Sequence, residues 1–252
     1  MAADVYGTRE RALDMVIPAD GGLFGVRLDG RAFHTFTKRF DKPFDRRVTS
    51  AMDDAAKTAF SALGQCVVAY TQSDEISLIY SCGTEDERPF NLRVQKVVST
   101  LASTATAGFV TRLTEFDGLP PYPNLPTFDG RVFTFDDAED VLRYLSWRRA
   151  EGKANAVSAA ATHVFGHSAL VGKSDDERMA MLRDSGVGTA LLGDRDFYGA
   201  MVTRREWHGD IEWRDGDGVV HTAHDVLRHK LIAEPPVAAS AFEDILLKSH
   251  TD

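Results

Sequence analysis

Cys66-Val-Val-Ala-Tyr-Thr-Gln-Ser-Asp-Glu-Ile-Ser-Leu-Ile-Tyr-Ser81 is the stretch that decides the fold. Cys66 to Thr71 and Ile76 to Ser81 are rich in Val, Ile and Tyr, which suit a pleated, half-buried surface, and Gln72-Ser-Asp-Glu75 between them is polar and turn-forming, so the segment predicts a β-hairpin. Upstream, Phe24, Val26 and Leu28 alternate at period two in a strand over Leu23 to Leu28 that Asp29-Gly30 ends as a turn. Between the two lies a helix: Asp45 is a plausible N-cap, Val48, Met52, Ala55, Ala59 and Leu63 recur at helical spacing, and Gly64 stops the pattern.

Downstream, Leu92, Val94, Val97, Val98 and Leu101 predict a second long helix from Phe90 to about Phe116. Pro120, Pro121, Pro123 and Pro126 make a rigid connection into a strand over Val132 to Phe135. The order β-α-β-β-α-β is the ferredoxin-like supersecondary pattern. Beyond it, the sequence predicts a helix from Asp136 or Asp137 through Tyr144 to Trp147, an Ala-rich helix over Ala154 to Phe165, a short capped helix over Ser174 to Arg183, and a hairpin from Ile211 to Val220 around Asp-Gly turns. The expectation is an α+β fold, with residues 1–135 as one domain and 136–252 as a helical and hairpin extension packed on it.

The 252 residues, 43% hydrophobic and 27% charged, suffice for a sizeable core and exclude collagen-like, coiled-coil and wholly disordered classes. No apolar run approaches the ~20 residues that cross a bilayer, and the first ten residues hold an early acid and no apolar core of a secretory signal, so a cytoplasmic protein without membrane contact is expected. Cys66 and Cys82 read as reduced, buried thiols. A net charge of -9 argues against a general nucleic-acid coat, although basic residues crowd between Arg27 and Arg47.

The topology makes two acidic turns meet. The third strand inserts antiparallel between the parallel first and second, so Asp29, past the first strand, lies beside Asp74 and Glu75 at the entry to the third. Taken singly, Asp29-Gly30 and Ser73-Asp74 read as turn formers. Together, converging carboxylates repel one another unless a cation neutralises them. Oxygen ligands without His or Cys suit Mg²⁺ bound with substrate phosphates, the pattern of two-metal phosphoryl transfer with ions about 4 Å apart.

Val26-Arg-Leu-Asp-Gly-Arg-Ala-Phe-His34, Lys42-Pro-Phe-Asp-Arg46 and Ala69-Tyr-Thr-Gln-Ser-Asp-Glu-Ile-Ser77 resemble the tRNA-His guanylyltransferase superfamily, polymerases that extend in the 3′ to 5′ direction. Arg93 and Lys96, Phe128-Asp-Gly-Arg131 and Tyr144-Leu-Ser-Trp-Arg148 match in the same order, and the resemblance runs from about Phe24 to Arg183. It implies a polymerase-like palm domain with Asp29 and Asp74 as Mg²⁺ ligands, the Gly30 carbonyl as a further ligand and Glu75 beside them. It also implies ATP and GTP as substrates, adenylylation of a tRNA 5′-phosphate, and attack on that phosphate by the 3′-hydroxyl of the incoming nucleotide. By carry-over, Lys42 and Ser73 assist activation and triphosphate binding, and Gly30 and Arg31 adjoin the nucleotide. Phe33, His34 and Asp45 line the base pocket, while Arg93, Lys96 and Arg131 grip phosphate oxygens. A homo-oligomer, a tetramer built as a dimer of dimers, is implied as well.

Where the eukaryotic enzymes carry His-Ile-Asn-Asn-Leu-Tyr-Asn, this chain has Lys153-Ala-Asn-Ala-Val-Ser-Ala159, with only Asn155 matched. That departure resembles the bacterial and archaeal guanylyltransferase-like proteins, template-dependent repair enzymes for 5′-truncated tRNAs. His163 and His167 read as ordinary helix residues, His221 and His224 lack a third zinc ligand nearby, and Trp147 reads as a core anchor with its arginines on the surface. Two other functions remain open: a palm-fold nucleotide cyclase and a catalytically idle nucleotide or RNA sensor.

Overall fold

The structure, a computed structural model, describes residues 8–244 other than 10, 11, 13, 19, 21, 123 and 187. Pro123 and the start of the N-terminal segment read above therefore lie outside the described residues. Strands β1 (Leu23–Gly30), β2 (Cys66–Gln72), β3 (Glu75–Ser81), β4 (Phe128–Phe135), β5 (Ala200–Arg214) and β6 (Val220–Glu234) form one antiparallel-paired sheet in the order β4-β1-β3-β2-β5-β6. β3 pairs antiparallel with both β1 and β2, so β1 and β2 run parallel, as the element order requires.

The helices are α1 (Arg46–Ala62), α2 (Val94–Thr114), α3 (Ala138–Phe165), α4 (Asp175–Asp184) and α5 (Asp194–Tyr198). α1 starts where Asp45 accepts the Arg47 backbone N–H at 2.9 Å, satisfying one of the orphan donors of a first turn. α2 buries Val97, Leu101, Ala105, Phe109 and Leu113, one residue every four. It begins four residues later than expected, because Phe90, Asn91 and Leu92 hold φ near +55° (53°, 53° and 56°) and cannot continue a right-handed helix.

The sheet has two covered faces. Phe24, Val26, Leu28, Ile76, Leu78 and Tyr80 share one core with α1 and α2, whereas Val68, Tyr70, Ile79 and Phe135 pack with Val141 and Leu145 of α3. The alternation along each strand thus sends odd and even positions into different cores.

Three expectations change. The two helices read on either side of Gly152 are one, α3, since Gly152 is required by packing rather than acting as a breaker: a Cβ there would lie 2.6 Å from the Gln72 side chain. The short C-terminal hairpin is a ribbon of two 15-residue strands. Its charged, exposed residues carry no clean alternation to extend the prediction. Nor does this ribbon merely pack on the first domain, for Ala200–Val202 of β5 pair with Thr71–Ala69 of β2 and continue its sheet. Cys66 and Cys82 are both free thiols, half-buried and buried. Among the described residues no helix is long and apolar enough to cross a membrane.

Candidate active site

β1 and β3 pair residue by residue up to Asp29 opposite Glu75, and β1 and β4 pair with Asp29 opposite Asp129. Residues directly opposite on neighbouring strands share a face, so Asp129, Asp29 and Glu75 form an acidic row across three strands. The next row is Arg131, Arg27 and Ser77.

The row is only partly neutralised. Glu75 is held by Arg148 of α3 through two bonds, Nε to Oε1 at 2.7 Å and Nη2 to Oε2 at 2.8 Å, and Arg27 lies 3.7 Å away. Burial pushes the Glu75 carboxyl upward against the pull of these arginines. Because its oxygens are taken by guanidinium groups, Glu75 supports the site through Arg148 and is not a free carboxylate beside Asp29.

Asp74 is different. The β2–β3 turn consists of two residues, Ser73 with φ +52° and Asp74, between the paired Gln72 and Glu75; a positive φ is what a tight hairpin needs at that position. The turn is tied to the end of β1 by the Gly30 N–H, which donates to the Asp74 carbonyl at 2.9 Å. Gly30 itself admits no side chain, for a Cβ would lie 2.5 Å from the Phe33 ring. Burial raises the Asp74 carboxyl above its ordinary range, the Ser73 hydroxyl at 2.9 Å from Oδ1 counters this, and the Asp29 charge adds to the rise.

Asp74 and Ser73 also line a cavity of about 350 Å³, within the range of small-ligand sites. Its walls come from the loop after β1 (Phe33, His34, Lys42), the start of α1 (Asp45, Val48), α3 (Asn155) and α5 (Arg195, Asp196). Lys42 Nζ donates to the Thr37 carbonyl at 3.0 Å, and exposed His34 stands on the single helical turn Phe33–Phe36.

Several expected site residues have other surroundings. The Phe33 ring is buried among Phe36, Phe109 and Phe128, so it reaches the cavity as part of the core wall. The Asp45 carboxylate, 3% exposed, is fully engaged: Oδ1 accepts the Arg47 N–H and Nε, and Oδ2 accepts the Asp41 N–H and Arg47 Nη2. Arg31, Arg93, Lys96 and Arg131 do not line the cavity. Arg93 faces Asp14 at 3.5 Å, Lys96 sits over the Phe90 ring, and Arg131 is exposed on β4 two residues from Asp129.

The reading of Trp147 is reversed: its side chain is 51% exposed, while Arg148 is 12% exposed beneath it, with the guanidinium 4.5 Å from the Trp147 ring centroid. Arg195 and Asp196 were missed, since they lie where no motif was legible. Among the described residues no group of three or more His, Cys, Asp or Glu side chains is placed to hold a metal ion.

Residues 16–136, which contain both acidic turns, match the family model described as tRNAHis guanylyltransferase. Over this segment, just under half of the chain, the sequence is similar to the tRNA-His guanylyltransferase superfamily. The Neurospora crassa tRNA(His) guanylyltransferase is 38% identical over 132 residues, 50% of this chain and 43% of that protein. The Schizosaccharomyces pombe protein of the same name is 34% identical over 148 residues, 58% of this chain and 54% of that protein. The chain therefore spans about half the length of the curated guanylyltransferases it matches. Among solved structures, a bacterial tRNA(His) guanylyltransferase-like protein in complex with ATP superposes with a TM-score of 0.73 at 28% identity, covering 80% of this chain and 88% of that one. The Saccharomyces cerevisiae guanylyltransferase superposes with a TM-score of 0.67 at 25% identity over 78% and 91%. The β1-to-β4 core thus shares the palm fold of these guanylyltransferase structures.

Proposed function

We propose that the chain is a Mg²⁺-dependent 3′ to 5′ nucleotidyltransferase that extends the 5′ end of tRNA. The observation that carries this reading is the meeting of Asp29 with Asp74 at one sheet end, with Asp74, though not Asp29, in the wall of a cavity of about 350 Å³. Two carboxylates with the Gly30 carbonyl make an all-oxygen donor set suited to Mg²⁺, and the charge repulsion felt by Asp74 is the kind a bound cation relieves. When bound, two such ions supply charge neutralisation at the triphosphate and a more acidic attacking hydroxyl.

In this reading the RNA 5′-phosphate attacks the α-phosphorus of ATP and displaces pyrophosphate. The 3′-hydroxyl of GTP, or of a nucleotide chosen by a template base, then attacks the adenylylated phosphate and displaces AMP, and water cleaves the α–β anhydride of the new 5′-triphosphate, releasing pyrophosphate and leaving a 5′-monophosphate. Lys42 and the Ser73 hydroxyl, both in the cavity wall, serve triphosphate oxygens, and exposed His34 stacks on or hydrogen-bonds a base. Arg31, Arg93, Lys96 and Arg131 lie outside the cavity and are assigned to RNA phosphates. The reading includes a cytoplasmic homo-oligomer whose RNA contacts are confined to a basic face.

The test is 5′-end addition with purified protein, Mg²⁺, ATP and GTP on 5′-monophosphorylated tRNA, complete or lacking its first nucleotide. Extension mainly of the truncated tRNA by the templated nucleotide is the expected result. A cyclic product from nucleotide alone would establish a cyclase instead, and binding without turnover an idle sensor.

A further inference from the structure

β4 is an end strand of the sheet: it pairs with β1 and, among the described residues, with no other strand. Its outer edge therefore offers unpaired backbone N–H and C=O groups, a ready template for another strand. Asp129 and Arg131 stand on this strand, both exposed and, being two residues apart, on the same α3 side of the sheet as Phe133 and Phe135. Among the described residues neither forms a hydrogen bond or an ion pair. Each also stands opposite a like charge on β1, Asp129 beside Asp29 and Arg131 beside Arg27, which is unfavourable. Of the four, only Arg27 has an opposite charge in ion-pair range, Glu75 at 3.7 Å.

Charges of one sign would block such an edge against its own copy. Opposite signs two residues apart instead select a partner: the same strand, running antiparallel about a two-fold axis at Gly130. In that register Asp129 of each copy faces Arg131 of the other and Phe128 faces Val132, with each pair on its own face of the sheet. An axis at Asp129 or at Arg131 would set like charges opposite. The neighbouring strand continues the match, for the row Glu75, Asp29, Asp129 would run on into Arg131 and Arg27 of the second copy. The other face of the sheet fits as well. Beside this edge α2 leaves an open groove of about 570 Å³, lined by Ala102, Thr106, Ala107 and Val110 with Thr127 and Phe128. The two-fold axis sets the two α2 helices side by side, and small side chains let helices pack closely.

We infer that the β4 edge is an interface with a second copy of this chain, joined antiparallel about Gly130 and held by Asp129–Arg131 ion pairs across the axis. Arg131 of the second copy then completes the acidic row that holds Asp29, and the RNA phosphate assigned above to Arg131 lies at the other copy's site. That last step rests on the proposed activity; the interface does not.

Sedimentation of the full chain over a range of concentrations tests it without turnover, with melting temperature reporting the fold. The wild type self-associates. Asp129→Arg and Arg131→Asp each weaken that association about tenfold to a hundredfold, as two ion pairs turned to repulsion would give. An equimolar mixture of the two variants regains it, because their charges are complementary again, and so does the double variant. A wild type that stays monomeric overturns the inference whether or not the variants fold. Single variants that associate as the wild type does, or a mixture as weak as its components, overturn it too and place any oligomer at another surface. Charge-dependent association without 5′-end addition supports the interface and sinks only the proposed activity.

Discussion

Arg148 and Glu75, 73 positions apart in the chain, form a two-pronged ion pair between α3 and β3 with both side chains less than 15% exposed (12% and 14%). The pair fixes the height of α3 over the acidic row, and a fork of this kind adds geometry as well as energy. Arg148→Ala strands the Glu75 charge with only Arg27 nearby, and a loss of about 3 kcal/mol is expected by chemical denaturation. Arg148→Lys, which cannot make both bonds, recovers only part. In a double-mutant cycle, Arg148→Ala with Glu75→Gln is less damaging than the sum of the two changes.

Asp29→Ala and Asp74→Ala each abolish 5′-end addition while the protein still melts cooperatively, at a temperature no lower than wild type in Mg²⁺-free buffer. Removing one of two repelling carboxylates relieves the unfavourable charge in the absence of metal. A double variant that still extends tRNA at a near-normal rate would refute the metal-ligand assignment.

Asp45 carries a pH-dependent share of stability. Burial works against its charge, but the Arg47 guanidinium and the Asp41 and Arg47 amides together hold the carboxyl below the ordinary 3.8. With the folded value depressed, the stabilisation is present above 3.8 and is lost as pH falls through the folded value. Asp45→Ala therefore costs about 1–2 kcal/mol at pH 7, the scale of a lost helix cap. Urea denaturation at a series of pH values should show the gap between variant and wild type closing in acid.

Gly152→Ala forces a methyl into the Gln72 side chain, whose Nε2 donates to the Gly152 carbonyl at 3.1 Å. The expected loss is about 1–3 kcal/mol, with weaker nucleotide binding, because Gln72 and Asn155 both line the cavity. Normal nucleotide affinity in a destabilised variant would show that α3 moves without reshaping the cavity wall.

Trp147, Trp207 and Trp213 are the three tryptophans, and they are 51%, 39% and 47% exposed. Native fluorescence should resemble that of tryptophan in water, be quenched readily by acrylamide, and shift little on unfolding. A strongly blue-shifted native spectrum would bury at least one of them.

The meeting of Asp29 with Asp74 and Glu75 was legible because it follows from element order alone: once two parallel strands flank an antiparallel third, the ends that meet are determined. The strands at both ends of that argument are short apolar runs at period two, the strongest kind of local signal. The orientation of α3 is legible in part, since Val141, Leu145, Arg148, Gly152 and Ala156 recur at helical spacing, but an arginine inside an apolar stripe is a weaker burial signal than the larger indole beside it. The sequence marks Asp45 as a helix cap and the resemblance adds a base contact, but its oxygens are engaged by backbone amides and Arg47. Arg195 and Asp196 were illegible for a physical reason. α5 is five residues long, too short for any period, and its approach to the cavity depends on chain folding far from Asp74.

Only the first three residues of β5 are paired with β2, although Leu231 of β6, opposite Arg204, still packs against the main core. From Arg205 to Arg214, ten residues, β5 pairs with β6 alone among the described residues, and at 3.3 Å per residue that stretch is about 33 Å long. The ribbon is in effect a lever fixed at one end: a tilt of about 10° at its root would sweep its Asp215–Gly218 tip through about 6 Å over such a length, while the cavity beside β2 and β3 would hardly register the change.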